Sequence, residues 1–448
     1  MTLPAPASET PTAASGMQTH KRDYLSLAIW PLIAFLTVFA FSGLRAVPFH
    51  PDESTYLYMS SDLDLLLHNP LSLAWTPDQA GDWRTHLRIV DAPLIRYWLG
   101  LGRSLVGLPA LPVDWSWTKS WQANQAAGAV PSPALLYAGR AILTLLLPFS
   151  LWLIYRVGLR LQGALTGLLA SLLLGLNALV LLHDRRAMAE AALTFSLLFA
   201  LWSFVFARHR PWLVGLALAL AFNAKHTGLA LLPVGLLAVA LLDPENPPSR
   251  NPLWLRLVSA WGQVLLVFVV LTWLLNPFLW RHPVQAVQAA IVERRDLIDL
   301  QVSDFNRLNP GVALDTPARR LAAILANLYI SPPSFAEADN YTAQTRVSEQ
   351  AYLANPAHSL LRCLTGGLAL FSLNLVGLAL ACLRLRRADR SERQNLILLL
   401  LSSLFLALGI FWLVPLPWQR YIMPLVPLSC LWTAYAIGSF AARPPRAS

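Results

Sequence analysis

"YLSLAIWPLIAFLTVFAFSGLRAVPFHPDESTY", residues 24–56, joins an apolar run from Tyr24 to Leu44 to two adjacent carboxylates, Asp52 and Glu53. About 20 apolar residues suffice to cross the hydrocarbon core as a helix. His20, Lys21 and Arg22 precede the run, the basic flank expected of a cytoplasmic N-terminus. The run is too long for a signal-peptide core, and no clear small-residue cleavage site follows it, so it is expected to be an uncleaved first span rather than a cleaved signal sequence. The acid pair at its outer mouth then needs an explanation.

Composition agrees with a membrane chain. Of 448 residues, 56% are hydrophobic and 13% charged, too little charge to cover the surface of a soluble globule this long. The net charge of +10 sits in short clusters between apolar runs, which is how topology determinants are placed, and excludes a nucleic-acid partner. Cys363, Cys382 and Cys430 fall in apolar runs without metal-ligand spacing and are expected to be packing residues.

Further runs of spanning length are Ala134 to Tyr155, Ala164 to Leu182, Ala187 to Phe206, Val258 to Leu275, Leu361 to Leu383, Leu396 to Val414 and Tyr421 to Phe440. Trp212 to Leu242 is apolar but interrupted by Asn223, Lys225 and His226, which predicts two short helices meeting at a polar break. The expected fold is an all-α polytopic membrane protein of about ten transmembrane helices. Both termini would then be cytoplasmic, because the basic clusters, such as Arg384, Arg386 and Arg387, fall on one side.

The chain divides accordingly. Residues 1–23 are expected to be disordered. Residues 24–280 form a transmembrane module with a long outer loop at 45–133. Residues 281–358 form a second outer loop, 359–442 the last helices and 443–448 a cytoplasmic tail. The second loop carries two amphipathic stretches, "VQAVQAAIVERRDLIDL" and "RRLAAILANLYI", suited to helices lying in the interface. Pro93 to Leu108 is short and interrupted by Arg96 and Arg103, and reads as a juxtamembrane helix. Trp75, Trp83, Trp115, Trp117 and Trp121 suit interfacial anchoring before sugar stacking.

Charge gathers where the outer ends of different spans meet: Asp52 and Glu53, "HDRRAMAE" at 183–190, "NAKH" at 223–226 and "WQRY" at 418–421. A single Arg in such a place is ordinarily a snorkelling or capping residue. Together, Arg185, Arg186, Lys225 and Arg420 can neutralise phosphate oxygens, while a carboxylate takes the proton from an attacking hydroxyl. Pro51 favours an extended His50. If that conformation continues, Asp52 and Glu53 point to opposite faces, one catalytic and the other structural. The competing account is that the pair caps a helix starting near Ser54.

In order along the chain, "HPDESTYLYMSSDL" (50–63), "DAPLIRYWLGL" (91–101), "AGRAILTLLLPFSLWLIYRVGLRLQG" (138–163), "HDRRAMAEAALTF" (183–195), "FNAKHTGLALLP" (222–233) and "WQRYIMPLVP" (418–427) resemble the membrane-embedded C-type glycosyltransferases. The likeness is to the bacterial relatives of the protein mannosyltransferases and of the aminoarabinose lipid A transferases. The resemblance implies an inverting transfer from a polyprenyl-phosphate-linked sugar to a hydroxyl acceptor at the outer face of the plasma (inner) membrane. Asp52 would be the base and Glu53 its neighbour in the motif. Asp184 and Glu190 would be acids of the second outer turn, and Arg185, Arg186, Lys225, His226 and Arg420 the donor-phosphate side.

Two departures stand out. Glu190 replaces the family's usual Asp, and Asp91-Ala92 replaces its His-Pro. Branches of the family differ in using a divalent metal; none is expected here, since basic side chains can neutralise the phosphate. The alternative function is a transporter or flippase of lipid-linked sugars, but no internal repeat is visible and the charges lie at span ends. A non-catalytic binder of lipid-linked sugars is the third option.

Overall fold

The computed structural model describes residues 25–79, 82–241, 252–336 and 340–441. The expected disordered N-terminus (1–23) and cytoplasmic tail (443–448) lie outside them. Every regular element among the described residues is a helix.

Among the described residues, six helices are long and apolar enough to cross a membrane: Leu25–Ser42, Pro133–Gln162, Leu253–Leu275, Leu364–Arg384, Arg390–Leu413 and Gln419–Ala441. Four shorter apolar helices, Ala164–Gly175, Glu190–Phe206, Pro211–Ala224 and His226–Ala240, occupy the other expected spans. The long helices alone therefore do not reach about ten crossings. The run ending at Leu182 breaks at Asn177, whose side chain accepts from Leu179 N and starts a new short helix, Ala178–His183. The run from Trp212 breaks at Lys225, as the polar residues there predict; its backbone is extended at φ −161°, ψ 136°.

Local chemistry sets the turns. Gly163 joins Leu147–Gln162 to Ala164–Gly175 with φ +107°, a conformation that only glycine adopts without strain. Gly43 ends the first span where a Cβ would lie 2.6 Å from the Arg185 guanidinium carbon; its missing side chain admits Arg185. Gln419–Ala441 runs mostly buried through the middle of the bundle, whereas Leu253–Leu275 buries only Ala260 and Val264. The remaining surface of that helix is apolar and open, as a lipid-facing helix requires.

The first long loop (45–133) contains helices Pro51–Met59, Asp62–His68, Trp83–Val90 and Leu94–Leu105, the last covering the short apolar stretch from Pro93 to Leu108. Asp62 accepts from Arg88 Nη2 at 2.8 Å and from Arg96 Nη1 at 3.1 Å, all three buried, and this knot fixes the loop. In the second long loop (281–358) the amphipathic stretches form Pro283–Leu308 and Pro317–Leu325. The first meets the 45–133 loop through His86 Nδ1 and Glu293 Oε2 at 2.7 Å, and reaches Trp418 with Phe305 at 5.2 Å between ring centroids.

The tryptophans divide in use. Trp115 is buried in an aromatic cluster with Phe49, Trp121 and Tyr341, while Trp83 and Trp117 remain exposed. Of the cysteines, Cys430 is buried as expected, but Cys363 and Cys382 are exposed. Cys363 caps its helix by accepting from Gly366 N.

Candidate active site

The acid pair resolves into two roles. His50 is extended (φ −127°, ψ 136°) and the helix starts immediately afterwards at Pro51. The extended run expected through Asp52 does not form, because Pro is well tolerated at the first helical position and the cap is already in place. His50 Nδ1 accepts from Asp52 N at 3.1 Å, and Glu53 Oε2 accepts from His50 N at 3.1 Å, a reciprocal capping box.

Glu53 is fully buried and saturated. Oε1 accepts from Arg140 Nε at 2.8 Å and from Ala187 N at 2.9 Å, and Oε2 accepts from Arg140 Nη2 at 2.7 Å. Arg140 also donates to Leu44 O and Val47 O, both at 2.8 Å. One carboxylate thus ties together the end of the first span, the second span and the 183–190 turn. No lone pair is left over for chemistry, so Glu53, grouped with Asp52 on sequence, holds the fold.

Asp52 faces the other way and is partly open, with 19% of its side chain exposed. Its carboxylate accepts a hydrogen bond from Arg420. The Arg420 guanidinium lies over the rings of Trp418 at 5.1 Å and Tyr421 at 5.7 Å. Gln419 locks this segment to the second long loop, accepting from Ser334 N at 2.7 Å and donating to Pro332 O at 3.1 Å.

Lys225 donates to Glu190 Oε1 at 2.9 Å, and its ammonium lies 5.4 Å from the Tyr421 ring centroid. Glu190 Oε2 is buried without a partner, and so are both ring nitrogens of His183. A buried polar atom left unpaired costs free energy unless something fills its place. These orphans lie beside the basic groups, as sites that await a polar ligand do.

The remaining predicted residues scatter. Arg185 turns away, donating to Phe39 O at 2.8 Å and meeting His358 Nε2 at 3.2 Å; it braces the first span. Arg186 is buried and donates to Phe335 O at 3.2 Å, with its charge still felt at His50. Asp184 accepts from Thr194 Oγ1 at 3.3 Å, and burial pushes its carboxyl well above the ordinary carboxylate range. That favours a neutral acid with a structural contact. His226 lies on the Phe222 ring at 5.1 Å.

Three residues enter that the sequence did not single out as site members. Burial pushes the His50 imidazole well below its ordinary value, and the charges of Arg186 and Arg420 push the same way. It stays neutral, which suits a Nδ1 that accepts from Asp52 N. Tyr56, one turn after Asp52, carries a phenol raised well above its ordinary value by burial and then by the fields of Asp91, Asp52 and Glu190. Asp91 is itself raised by burial, and Arg96 donates to its carbonyl at 3.4 Å. The i, i+4 spacing of Asp52 and Tyr56 was a usable sequence signal.

No cluster of three or more His, Cys, Asp or Glu side chains able to hold a metal ion occurs among the described residues. Asp52 and Glu190 are each paired with a cation, Asp52 with Arg420 and Glu190 with Lys225. One oxygen of each carboxylate is engaged in this way, while Glu190 Oε2 has no partner; a divalent ion ordinarily draws on several free oxygens.

No protein-family model and no curated protein matches the chain. Among solved structures it is similar to the Archaeoglobus fulgidus oligosaccharyltransferase in complex with Zn and sulfate, at 12% identity and TM-score 0.48, covering 91% of this chain and 48% of that one. It is similar to ArnT from Cupriavidus metallidurans bound to undecaprenyl phosphate, at 14% identity and TM-score 0.48, covering 93% and 60%. The S. cerevisiae protein O-mannosyltransferase Pmt1-Pmt2 complex bound to the sugar donor matches over 58% of this chain and 34% of that one, at 18% identity and TM-score 0.41. The chain spans about half the length of the oligosaccharyltransferase structures. At such identities chemistry has to be argued from the site.

Proposed function

We propose that this chain is a membrane glycosyltransferase that moves a sugar from a polyprenyl-phosphate carrier to a hydroxyl acceptor at the outer membrane surface. The observation that carries the reading is the Asp52–Arg420 pair, set beside Lys225 and the orphaned polar atoms of His183 and Glu190. It joins a carboxylate that can accept a proton to cations that can accept a phosphate.

In the reaction, the acceptor O–H loses its proton to Asp52 as its oxygen attacks the anomeric carbon. The bond from acceptor oxygen to that carbon forms while the carbon–oxygen bond to phosphate breaks, and the anomeric configuration inverts. The lipid phosphate leaves with the electron pair. Arg420 is then the hinge of charge: it pairs with Asp52 before the donor arrives and with phosphate oxygens afterwards, releasing Asp52 for the acceptor. Arg offers a bidentate fork and Lys225 a point charge. Positioned general-base catalysis is worth about 10² to 10⁴-fold. Tyr56, kept protonated, can donate to a sugar or phosphate oxygen. No metal enters these steps. The sugar acceptor side falls to Asp91 and the outer loops.

This reading takes the membrane as the plasma membrane, with about ten crossings, cytoplasmic termini and the site outside. Its test is transfer of radiolabel from a panel of polyprenyl-phosphate sugars by membranes with and without the chain. Label entering lipid or protein only when the chain is present supports the enzyme and names the donor. Sugar lipid crossing the bilayer without transfer would instead make the chain a flippase.

A further inference from the structure

A groove of about 880 Å³, whose lining does not include Asp52, opens between the end of the first span, the helix Leu94–Leu105 and the helix Pro133–Thr144. Its wall is apolar, and Leu105, Val106 and Leu145 are 70%, 60% and 48% exposed there. Such a patch is costly in water and is normally covered. Arg45 stands at its mouth, immediately after the last apolar residue of the first span. The guanidinium lies 5.4 Å from the Tyr137 ring centroid, an aromatic and a cation at the level where an interfacial belt is expected.

Arg45 makes no ion pair with any described carboxylate. The other arginine in the lining, Arg140, has its guanidinium turned to Glu53, Leu44 O and Val47 O. The groove therefore presents one uncommitted positive charge above an apolar channel. From Tyr137 to Leu145 the helix advances eight residues, about 12 Å at 1.5 Å per residue. That is close to one leaflet of a hydrocarbon core about 30 Å thick.

We propose that this groove binds an anionic glycerophospholipid of the surrounding outer leaflet, its phosphate at Arg45 and an acyl chain along the helix Pro133–Thr144. The charge at the mouth selects the anion, and the channel's length selects a chain that belongs to the leaflet. Because Arg140 lies in the groove wall and also clasps Glu53, an occupied groove would steady the segment that presents Asp52 from behind. The site is separate from the proposed donor phosphate position at Arg420 and Lys225.

The test uses the full chain purified in neutral detergent, with bound lipid counted by native mass spectrometry. Dioleoyl phosphatidylglycerol and dioleoyl phosphatidylcholine are offered together. Wild type should hold the anionic lipid about fivefold over the zwitterionic one, as expected for about 1 kcal/mol per basic residue beside an anionic lipid. Arg45→Gln, on an exposed side chain, should bring the ratio near one with the thermal midpoint unchanged. Ala141→Phe, which fills the channel, should remove the tightly held lipid whatever its headgroup.

Equal binding of the two lipids by wild type, or an unchanged preference in Arg45→Gln, would overturn the proposal. So would displacement of phosphatidylglycerol by undecaprenyl phosphate in wild type but not in Arg45→Gln, which would give the groove to the carrier lipid. None of these readouts requires sugar transfer, so they stand apart from the fate of the enzymatic reading.

Discussion

The Asp52 carboxylate and the Arg420 guanidinium meet in a hydrogen-bonded ion pair although 368 positions separate them in the chain. The pair closes the first long loop onto the start of the last buried helix. If Arg420 hands its charge from Asp52 to the donor phosphate, Arg420→Ala should raise the donor KM about tenfold or more, a loss of about 1.4 kcal/mol or more. Arg420→Lys should recover only part of this, because an ammonium lacks the fork. Initial rates over a range of donor concentrations check it.

The Glu53–Arg140 pair is predicted to act on folding first. Removing one partner leaves a buried charge uncompensated, a cost of about 3–5 kcal/mol. Arg140→Ala and Glu53→Ala should each lower the thermal unfolding midpoint of the solubilised protein strongly. The double variant should lose less than the sum of the two, which a double-mutant cycle on the midpoints would show.

Lys225 and Glu190 should separate binding from stability. Lys225→Ala leaves Glu190, 2% exposed, without its cation, so both donor binding and stability should fall. Adding Glu190→Gln removes the stranded charge and should restore the unfolding midpoint, while donor affinity stays low because the phosphate has still lost Lys225. Titration of the two variants with polyprenyl phosphate, beside thermal melts, checks the split.

His50 makes an acid-sensitive cap. Its imidazole is held well below the ordinary value of 6.5 by burial and by Arg186 and Arg420, so the unfolded chain binds more protons here than the folded one. The stabilisation is complete above the unfolded pKa and is lost as pH falls below about 6.5 toward the folded pKa. His50→Asn keeps a capping acceptor and removes the titration. Unfolding midpoints between neutral and mildly acidic pH should fall less in that variant than in wild type.

The six long apolar helices were legible as apolar runs of membrane length, and the break at Asn223, Lys225 and His226 showed as polar residues inside such a run. Helix ends were less so: Asn177 splits a run that hydropathy alone carries on to Leu182. At the site, the sequence gathered Asp52, Lys225, Glu190 and Arg420 because charge is rare inside and at the ends of apolar runs. It could not separate Asp52 from Glu53, since the division depends on Arg140, Ala187 N and the capping box, contacts between distant segments. For the same reason Arg185 and Arg186 looked alike on sequence, while the space left by Gly43 draws only Arg185 toward the first span.

The most direct measurement is sugar transfer from the polyprenyl-phosphate donor by wild type and Asp52→Asn in matched amounts, with donor binding measured on both. The account predicts that Asp52→Asn binds the donor and keeps its unfolding midpoint but loses about 10² to 10⁴-fold in turnover. Undiminished turnover by Asp52→Asn would contradict it, because the carboxylate facing Arg420 would then not be the base.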